Sequence, residues 1–309
     1  ALFYKSGLNY MWVPAPFRCQ NLFEVKIMPD KYQIVKKDVL TPDISRISVY
    51  APLIAKKAKA GQFIILRATE DGERIPLTVS SCEGDEVTVI YQKVGDSTMT
   101  LDELDVGECL ADFVGPLGMP TDIDGCDNVA VIGGGLGCAI ALPVAAALHK
   151  KGVHVDLIGG FRTKDIVILE KEMSEASDNL YICTDDGSYG FSGFVTGKLQ
   201  ELLDSGTKYD RVYAIGPLPM MKFVCKLTAT ADIPTIVSMN PIMIDGTGMC
   251  GCCRVTVDGQ VKFACVDGPD FDGHKVDFDE TIARAATYKE FEAMRRENHK
   301  CRLEGMGNG

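Results

Sequence analysis

The sequence lacks an excess of positive charge, an apolar run long enough to cross a bilayer, and any internal repeat. Its 309 residues include 32 Lys and Arg against 43 Asp and Glu, which gives a formal net charge of -11. Because phosphate binding requires clustered cations, this balance argues against nucleic acid as the main partner. A transmembrane helix needs about 20 consecutive apolar residues. The longest apolar stretch, residues 128–148, is interrupted by glycines and a proline, so we predict no membrane span.

Residues 1–21 lack the basic start and the continuous apolar core of a secretory signal peptide, and we leave them unassigned. The 12 cysteines do not suggest a disulfide scaffold, because such scaffolds are usually shorter than about 100 residues. Most of them occur singly in apolar or mixed stretches, as buried cysteines do. Four fall between Cys250 and Cys265. This distribution predicts a reducing, cytoplasmic location and one local metal site.

Three patterns follow one another along the chain, and its length agrees with two or three domains of about 150 residues or fewer. Residues 22–122 contain short alternating stretches rich in Val, Ile and Tyr, which predict an antiparallel sandwich or barrel. Residues 123–238 alternate buried strands with helices, one of them over 163–176, which predicts a doubly wound parallel sheet. Residues 239–309 hold the clustered cysteines, a hairpin pattern and a charged terminal helix. The predicted fold class is α/β plus all-β.

A glycine-rich turn joins a predicted strand to a predicted helix. Without side chains, its backbone N–H groups could approach a pyrophosphate at the helix N-terminus. Cys138 occupies the third glycine position of the G-x-G-x-x-G frame, so a tight turn without a ligand is the alternative. Arg162, after the next strand, could contact an adenosine ribose or a 2′-phosphate, or it could be a solvated loop arginine. The turn contains Gly133, Gly134, Gly135 and Gly137.

A second candidate site lies in the first region. Arg74 and Thr78 are four residues apart, so on a strand both would lie on one face. A guanidinium suits a pyrophosphate because its donors form a fork, and a hydroxyl suits a ring nitrogen. Further on, Gly95, Ser97 and Thr98 offer backbone amides and hydroxyls. Taken singly, each of these features is more often an ordinary turn or strand end.

The cysteine segment has the spacing of an iron–sulfur site with one substitution. Plant-type [2Fe–2S] ferredoxins use C-x4-C-x2-C and a distant fourth Cys. Here Asp245 takes the first position, followed by Cys250, Cys253 and Cys265. A zinc site is an alternative, although structural zinc sites usually have two short Cys pairs. A disulfide, or an all-cysteine ligand set that includes Cys252, is a further alternative.

The order of these features resembles the ferredoxin–NADP reductase superfamily over about residues 22–240. The order is Arg-x-x-x-Thr, then Gly-Pro-Leu-Gly at 115–118, then the glycine-rich turn, and 214–222 matches the family segment near the nicotinamide. The resemblance implies an antiparallel β-barrel that binds FAD, over 22–122, and a sheet that binds NAD(H), with NADP(H) possible. The implied FAD contacts are Arg74, Pro76, Leu77, Thr78, Val79, Gly95, Ser97 and Thr98. The implied dinucleotide contacts are Gly133, Gly134, Gly135, Gly137, Arg162, Gly216 and Pro217.

With the cysteine segment added, nearly the whole chain after residue 21 resembles a narrower group. This is the small subunit of NADH-dependent reduced ferredoxin:NADP+ oxidoreductase, together with the sulfide dehydrogenase β subunit. There one Asp and three Cys hold a [2Fe–2S] cluster, which implies the ligands Asp245, Cys250, Cys253 and Cys265. Cys252 stands where that group usually has a small residue. The electron-transfer subunit of dihydroorotate dehydrogenase, with four cysteines, has the same three-part order and is the alternative.

The resemblance implies an electron relay between NAD(H), FAD and the cluster, with no catalytic acid or base. It also implies a partner, a large subunit with a second flavin and [4Fe–4S] clusters where electrons are bifurcated. That partner would face residues 245–265 and the terminal helix. An alternative from another class is a zinc-stapled interaction subunit that has lost catalysis.

Overall fold

The computed structural model describes residues 29–287 and Met294. The unassigned segment 1–21 and most of the second half of the predicted terminal helix lie outside these residues. Within them, no helix is both long and apolar enough to cross a membrane.

The first region forms a six-stranded antiparallel sheet in the order β1-β2-β5-β4-β3-β6. Its two ends meet, because Ile34 N donates to Glu108 O at 2.8 Å and Leu110 N donates to Tyr32 O at 3.0 Å. Buried residues such as Val49, which alternate along the strands, fill the interior. The elements are β1 (Ile34–Thr41), β2 (Ile44–Tyr50), α1 (Pro52–Ala55), β3 (Phe63–Arg67), β4 (Ile75–Glu83), β5 (Glu86–Gln92), α2 (Asp96–Glu103) and β6 (Asp112–Leu117).

The second region forms a sheet with helices between its parallel strands. The elements are β7 (Asn128–Gly134), α3 (Gly137–Lys150), β8 (His154–Phe161), α4 (Glu170–Glu175), β9 (Asn179–Thr184), β10 (Phe191–Ser192), α5 (Val195–Asp204), β11 (Arg211–Ile215), α6 (Leu218–Thr230) and β12 (Thr235–Ser238). The order is β10-β9-β8-β7-β11-β12, all parallel. The strand order reverses between β7 and β11, and ligands of such sheets bind beyond the carboxyl ends of the strands at this point.

The third region contributes to this sheet as well as forming a hairpin. Its elements are β13 (Arg254–Val257), β14 (Gln260–Phe263), β15 (Asp270–Asp272) and α7 (Phe278–Ala286). β13 and β14 pair around Asp258 and Gly259, both with positive φ (53° and 69°), which confirms the predicted hairpin. β15 pairs antiparallel with β12, as a seventh strand. The predicted domain limits stay predictions, because β15 belongs to the third region in sequence and to the second in the sheet.

The cysteine segment packs on the antiparallel sheet. Cys253 and Cys265 are buried in one apolar cluster with Phe63 and Ile65 of β3. A Cβ on Gly246 would lie 2.6 Å from Ile65 Cδ1, so the loop approaches β3 closely, and its φ of +85° favours glycine there. This contact places the predicted metal ligands beside the predicted FAD-binding sheet.

Two stretches differ from the predictions. Residues 163–176, predicted as one helix, form a 3-10 turn (Lys164–Ile166) and then α4, because Leu169 at φ 56° interrupts the helix. The segment predicted as a loop around 95–98 is instead the beginning of α2.

Candidate functional site

The glycine-rich turn lies at the carboxyl end of β7, where the strand order reverses. Added Cβ atoms on Gly133 and Gly137 would lie 2.6 Å from Cys138 Cα and 2.3 Å from Ile215 O. Close packing of α3 on the sheet therefore accounts for these two glycines without a ligand. For Gly133 and Gly137 the packing thus agrees with the alternative from the sequence, a tight turn without a ligand.

The other glycines of the turn have different surroundings. A Cβ on Gly134 would lie 2.5 Å from Met220 Sδ and 3.0 Å from Pro217 Cδ, so Gly134 meets the segment that contains Gly216. Gly135, at φ +55°, has open space around its Cβ position. No side chain caps the start of α3, which suits an anion, although Cys138 N and Ala139 N already donate to Gly135 O at 3.1 Å and to Leu136 O at 2.9 Å. The turn and the 216–217 segment therefore come together at one place, as predicted.

Arg162 lies on the loop that follows β8, and its side chain is exposed. Its backbone carbonyl accepts a hydrogen bond from Asp186 N at 3.3 Å, which joins this loop to the one after β9. Asp156, which lies within β8, is buried and accepts from Tyr209 Oη at 2.6 Å. Asp156 is thus part of the protein interior, whereas Arg162 is exposed and accessible to a ligand from solvent.

The predicted FAD contacts on β4 lie next to β3. Arg74 directly precedes β4, which contains Pro76, Leu77, Thr78 and Val79. The Nε atom of Arg74 is buried, and no atom within the described residues accepts its hydrogen. A buried cationic donor without an acceptor is costly. A bound pyrophosphate would supply the acceptor, so the structure fits the predicted anionic cofactor at this place.

The start of α2 lies beside the Arg74 segment. Ser97 Oγ donates to Glu73 Oε2 at 3.4 Å, which links α2 to the residue before Arg74. Thr98 Oγ1 accepts from Gly95 N at 3.1 Å and donates to Gly95 O at 2.9 Å. The Thr98 hydroxyl therefore closes the start of the helix. The sequence had suggested a hydroxyl available to a ligand, whereas here it is already hydrogen-bonded. These two hydrogen bonds hold the Gly95 backbone at the start of α2.

The far end of α2 is anchored by Asp102, a residue that the sequence did not single out. Its carboxylate accepts from Ser45 Oγ at 2.6 Å, Tyr91 Oη at 3.0 Å and Lys93 Nζ at 3.1 Å. Burial by itself would raise the pKa of Asp102, but the hydrogen bonds from Ser45, Lys93 and Tyr91 outweigh it and hold the pKa below its usual range. Its partners come from distant strands, so the sequence carries no local signal for this anchor.

The cysteine loop brings the predicted ligands together in part. The Sγ atoms of Cys253 and Cys265 are 3.1 Å apart and buried. Cys250 is exposed, and its thiol interacts with that of Cys252. The described part of the chain contains no group of three or more His, Cys, Asp or Glu side chains arranged around one point as metal ligands. The four predicted ligands thus occupy one loop and its neighbour, with one close pair among them.

Asp245 begins this loop. Its carboxylate accepts from Thr247 N at 2.9 Å, from the Thr247 hydroxyl and from Met249 N at 3.4 Å. These hydrogen bonds from Thr247, and to a smaller extent the charge of Arg74, hold the pKa of Asp245 below its usual range. By chemistry, one carboxylate and three thiols form a donor set that suits an iron–sulfur cluster, although of the four predicted ligands only Cys253 and Cys265 lie close together here. The contribution of Arg74 to this lowered pKa agrees with a position of Asp245 near the Arg74 segment.

Known proteins with the same organisation share most of this chain. The iron–sulfur cluster binding domain of dihydroorotate dehydrogenase B matches residues 240–277. The dihydroorotate dehydrogenase B (NAD(+)) electron transfer subunit homolog of Thermotoga maritima is 44% identical over 85% of this chain and 93% of that protein. The electron transfer subunit of Clostridium perfringens is 34% identical over 74% of this chain and 92% of that protein.

A solved structure gives the same result. A chain in the structure of NADH-dependent reduced ferredoxin–NADP oxidoreductase, studied for flavin-based electron bifurcation, superposes with a TM-score of 0.82. It is 42% identical, over 87% of this chain and 98% of that chain. This similarity confirms the predicted resemblance and fold class.

The similarities also support the predicted cofactors, FAD, an iron–sulfur cluster and NAD(H). The roles of individual residues in binding them stay predictions. Each of these comparisons covers more than nine-tenths of the matched protein. The similarity therefore extends over the barrel, the parallel sheet and the cysteine segment together. The chain therefore belongs to the family of dihydroorotate dehydrogenase B electron-transfer subunits and is an electron-transfer subunit of the oxidoreductase type.

Proposed function

We propose that this chain passes electrons between NAD(H), FAD and a [2Fe–2S] cluster, and from there to a partner subunit of an electron-bifurcating ferredoxin:NADP+ transhydrogenase. The observation that carries the proposal is the position of the cysteine loop on β3, with Asp245 within the electrostatic influence of Arg74. FAD accepts two electrons together and releases them singly, and a cluster carries one at a time. The protein supplies position and electrostatics for both groups.

Each predicted contact has a role in this proposal. Arg74 supplies the fork for the FAD pyrophosphate, and the start of α2, with Gly95, Ser97 and Thr98, supports the same anion. Pro76, Leu77, Thr78 and Val79 place the β4 backbone against the flavin. The glycine turn at 133–137 and the Gly216–Pro217 segment bind the dinucleotide. Arg162 contacts the adenosine ribose or a 2′-phosphate, so both NAD(H) and NADP(H) suit it.

The proposed ligands of the cluster are Asp245, Cys250, Cys253 and Cys265. The domain limits that go with these roles are 22–122 for FAD, 123–238 for the dinucleotide and 239–309 for the cluster. The partner is a large subunit with a second flavin and [4Fe–4S] clusters, and the complex is cytoplasmic. Similarity to the reduced ferredoxin–NADP oxidoreductase chain supports this choice of partner.

A second candidate is the electron-transfer subunit of a dihydroorotate dehydrogenase. The match of residues 240–277 to the cluster domain of that enzyme favours it, and so do the names of the relatives in Thermotoga maritima and Clostridium perfringens. It implies four cysteine ligands, which Cys250, Cys252, Cys253 and Cys265 could supply. The two candidates therefore differ in whether Asp245 or Cys252 is a ligand.

The first experiment is the visible spectrum of the anaerobically purified protein, with iron and zinc measured on the same sample. The proposal expects flavin bands, iron in place of zinc, and bleaching on addition of NADH. One zinc and no flavin would instead support the zinc-stapled interaction subunit.

The second experiment separates the two candidates. Cys253→Ala and its neighbour Cys252→Ala form a matched pair, because only Cys253 belongs to the proposed ligand set. We expect Cys253→Ala to lose the cluster, and Cys252→Ala to keep its iron and its electron paramagnetic resonance spectrum. Loss of the cluster in Cys252→Ala, with retention in Asp245→Ala, would favour the all-cysteine set. Assays of the co-purified complex with reduced ferredoxin and NADP+, and separately with dihydroorotate, then identify the reaction.

A further inference from the structure

Two arginines from different elements donate to consecutive carbonyls of the cysteine loop. Arg284 Nη2, on α7, donates to Cys252 O at 3.2 Å. Arg254 Nη1, at the start of β13, donates to Gly251 O at 3.3 Å. Arg284 is half-buried and Arg254 is exposed. The same short stretch of backbone, between Cys250 and Cys253, is thus held from two sides by cations.

The two guanidinium groups differ in one respect. Arg284 Nη1 is buried, and no atom within residues 29–287 or Met294 accepts its hydrogens. Leaving a buried charged donor unpaired is costly, and the cost disappears when an anionic acceptor lies beside it. Because Arg284 Nη2 already binds the Cys252 carbonyl, the candidate acceptors are the sulfur atoms of the cysteines next to that carbonyl in sequence, which are thiolates when they bind iron.

Helix α7 holds Arg284 firmly against the loop. Asp277 caps the helix by accepting from Glu280 N at 2.9 Å. Phe278 packs into the apolar cluster that contains Val255 of β13. Asp279 forms an ion pair with Lys222 of α6. The position of Arg284 is therefore fixed by the packing of α7 and not by its own hydrogen bond alone.

We propose that Arg284 is a positioning residue for the cluster: it fixes the Cys250–Cys253 backbone and raises the reduction potential of the cluster bound there. The inference rests on the proposed function. Reduction adds one electron, supplied by the flavin, to a centre that already carries negative charge. A nearby cation stabilises the reduced form more than the oxidised form, and a buried cation is screened less by salt than an exposed one. Net charge and hydrogen bonding to sulfur are established determinants of cluster potentials.

The test compares Arg284→Met, Arg284→Lys and Arg254→Met in the full-length, cluster-containing protein. The readouts are the midpoint potential of the cluster, from a redox titration followed by electron paramagnetic resonance, and the rate of iron loss to a chelator. We expect Arg284→Met to lower the midpoint potential and to lose iron several-fold faster. Arg284→Lys should recover most of the potential. Arg254→Met, the control on the adjacent carbonyl, should shift the potential much less because its charge is exposed.

An unchanged midpoint potential in Arg284→Met would overturn the inference, and so would an equal shift in Arg254→Met. If Arg284→Met does not fold, Arg284→Gln replaces it: a potential below that of Arg284→Lys supports the inference, and an equal potential overturns it. A wild-type protein without a cluster would overturn the proposed function itself. If the wild type holds a cluster whose midpoint potential is unchanged by substitution of Arg284, only this inference is overturned.

Discussion

Arg74 has a buried Nε atom without an acceptor among the described residues, directly before β4. If this atom binds the FAD pyrophosphate, Arg74→Met removes a hydrogen bond between charged groups, which contributes about 1.5–3 kcal/mol. We therefore expect FAD to dissociate roughly 10- to 100-fold more readily. Titration of the apoprotein with FAD, followed by flavin fluorescence, measures this change.

Arg67 provides the matched control for this prediction. It belongs to β3, the strand next to β4, and its guanidinium is already paired with Asp112 at 2.8 Å and with Glu70 at 3.1 Å. Arg67→Met should leave the FAD dissociation constant close to that of the wild type. Equal weakening in both variants would show that the sheet, and not a specific contact of Arg74, determines the affinity.

Single residues illustrate what the sequence could reveal about the site. The spacing of Arg74 and Thr78, and that of Asp245, Cys250 and Cys253, pointed to places that the fold brings close together. Spacing could not reveal that the Thr98 hydroxyl is used within its own turn. Nor could it reveal Arg284, whose partner is the backbone carbonyl of a residue 32 positions away. Such contacts depend on packing that no local pattern encodes.

At the scale of elements, the C-terminal end of α2 depends on one carboxylate, Asp102. Its depressed pKa contributes stability that is present above the unfolded value of about 3.9 and is lost as pH falls through the lower folded value. We expect Asp102→Asn to melt at a lower temperature than the wild type at neutral pH. We also expect its melting temperature to fall less steeply below about pH 4. Thermal unfolding across this pH range, followed by circular dichroism, tests both statements.

The exposed Asp71, which precedes β4, supplies the control carboxylate. Asp71→Asn should melt close to the wild type at neutral pH, because the side chain is exposed. Because α2 begins at the proposed FAD site, Asp102→Asn should also weaken FAD binding. A parallel decline of the wild type and Asp102→Asn in acid would contradict the role given to Asp102.

The glycines around α3 allow a sharper comparison. Gly135 and Gly152 both have positive φ (+55° and +83°) and open space at the Cβ position, but they lie at opposite ends of α3. Alanine at either position should cost about 1–2 kcal/mol of stability. Only Gly135→Ala should also raise the dissociation constant for NADH, because only Gly135 faces the proposed dinucleotide site. Calorimetric titration with NADH, beside thermal unfolding, distinguishes the two effects.

A third substitution in the same region separates packing from binding. A Cβ on Gly137 would lie 2.3 Å from Ile215 O, so Gly137→Ala should push α3 away from β11. Overpacking of this kind typically costs about 1–3 kcal/mol.

If Gly135→Ala binds NADH as tightly as Gly152→Ala does, the glycines of the turn serve packing alone and the nucleotide site lies elsewhere.

Most elements could be predicted from periodicity, and each exception has a physical cause. The alternation of strand and helix between residues 128 and 238 and the hairpin at 258–259 are present as predicted. The helix predicted over 163–176 is interrupted because Leu169 adopts a left-handed conformation. The place of β15 in the parallel sheet was not predictable, because strand pairing between distant segments leaves no periodic signal.

At the scale of the whole molecule, Gly246 is the point where the cysteine loop meets the antiparallel sheet. Its φ is +85°, and a Cβ would lie 2.6 Å from Ile65 Cδ1 and 2.8 Å from Leu117 Cδ1. Gly246→Ala should displace the loop from the sheet. We expect slower electron transfer from flavin to cluster, with the reduction of the flavin by NADH unchanged. Stopped-flow absorbance at flavin and cluster wavelengths measures the two steps separately.

Gly248 is the matched control, since it belongs to the same loop and has a φ of +84°, but the Cβ position faces Val266 and not the sheet. Gly248→Ala should introduce the same backbone strain as Gly246→Ala. Electron transfer from flavin to cluster should nevertheless be faster in Gly248→Ala than in Gly246→Ala. Equal slowing in the two variants would indicate that strain in the loop, and not its distance from the sheet, controls the transfer.

The pairing of β15 with β12 has a consequence for how this protein can be divided. A truncated protein ending at Ser238 would contain all the residues proposed for FAD and NAD(H), yet the outer edge of β12 would lose its partner strand. Exposed edges of this kind recruit other chains and promote aggregation. The cysteine region is therefore not a detachable module, and a shortened reductase would need a redesigned edge, with charged residues or a proline, to remain monodisperse.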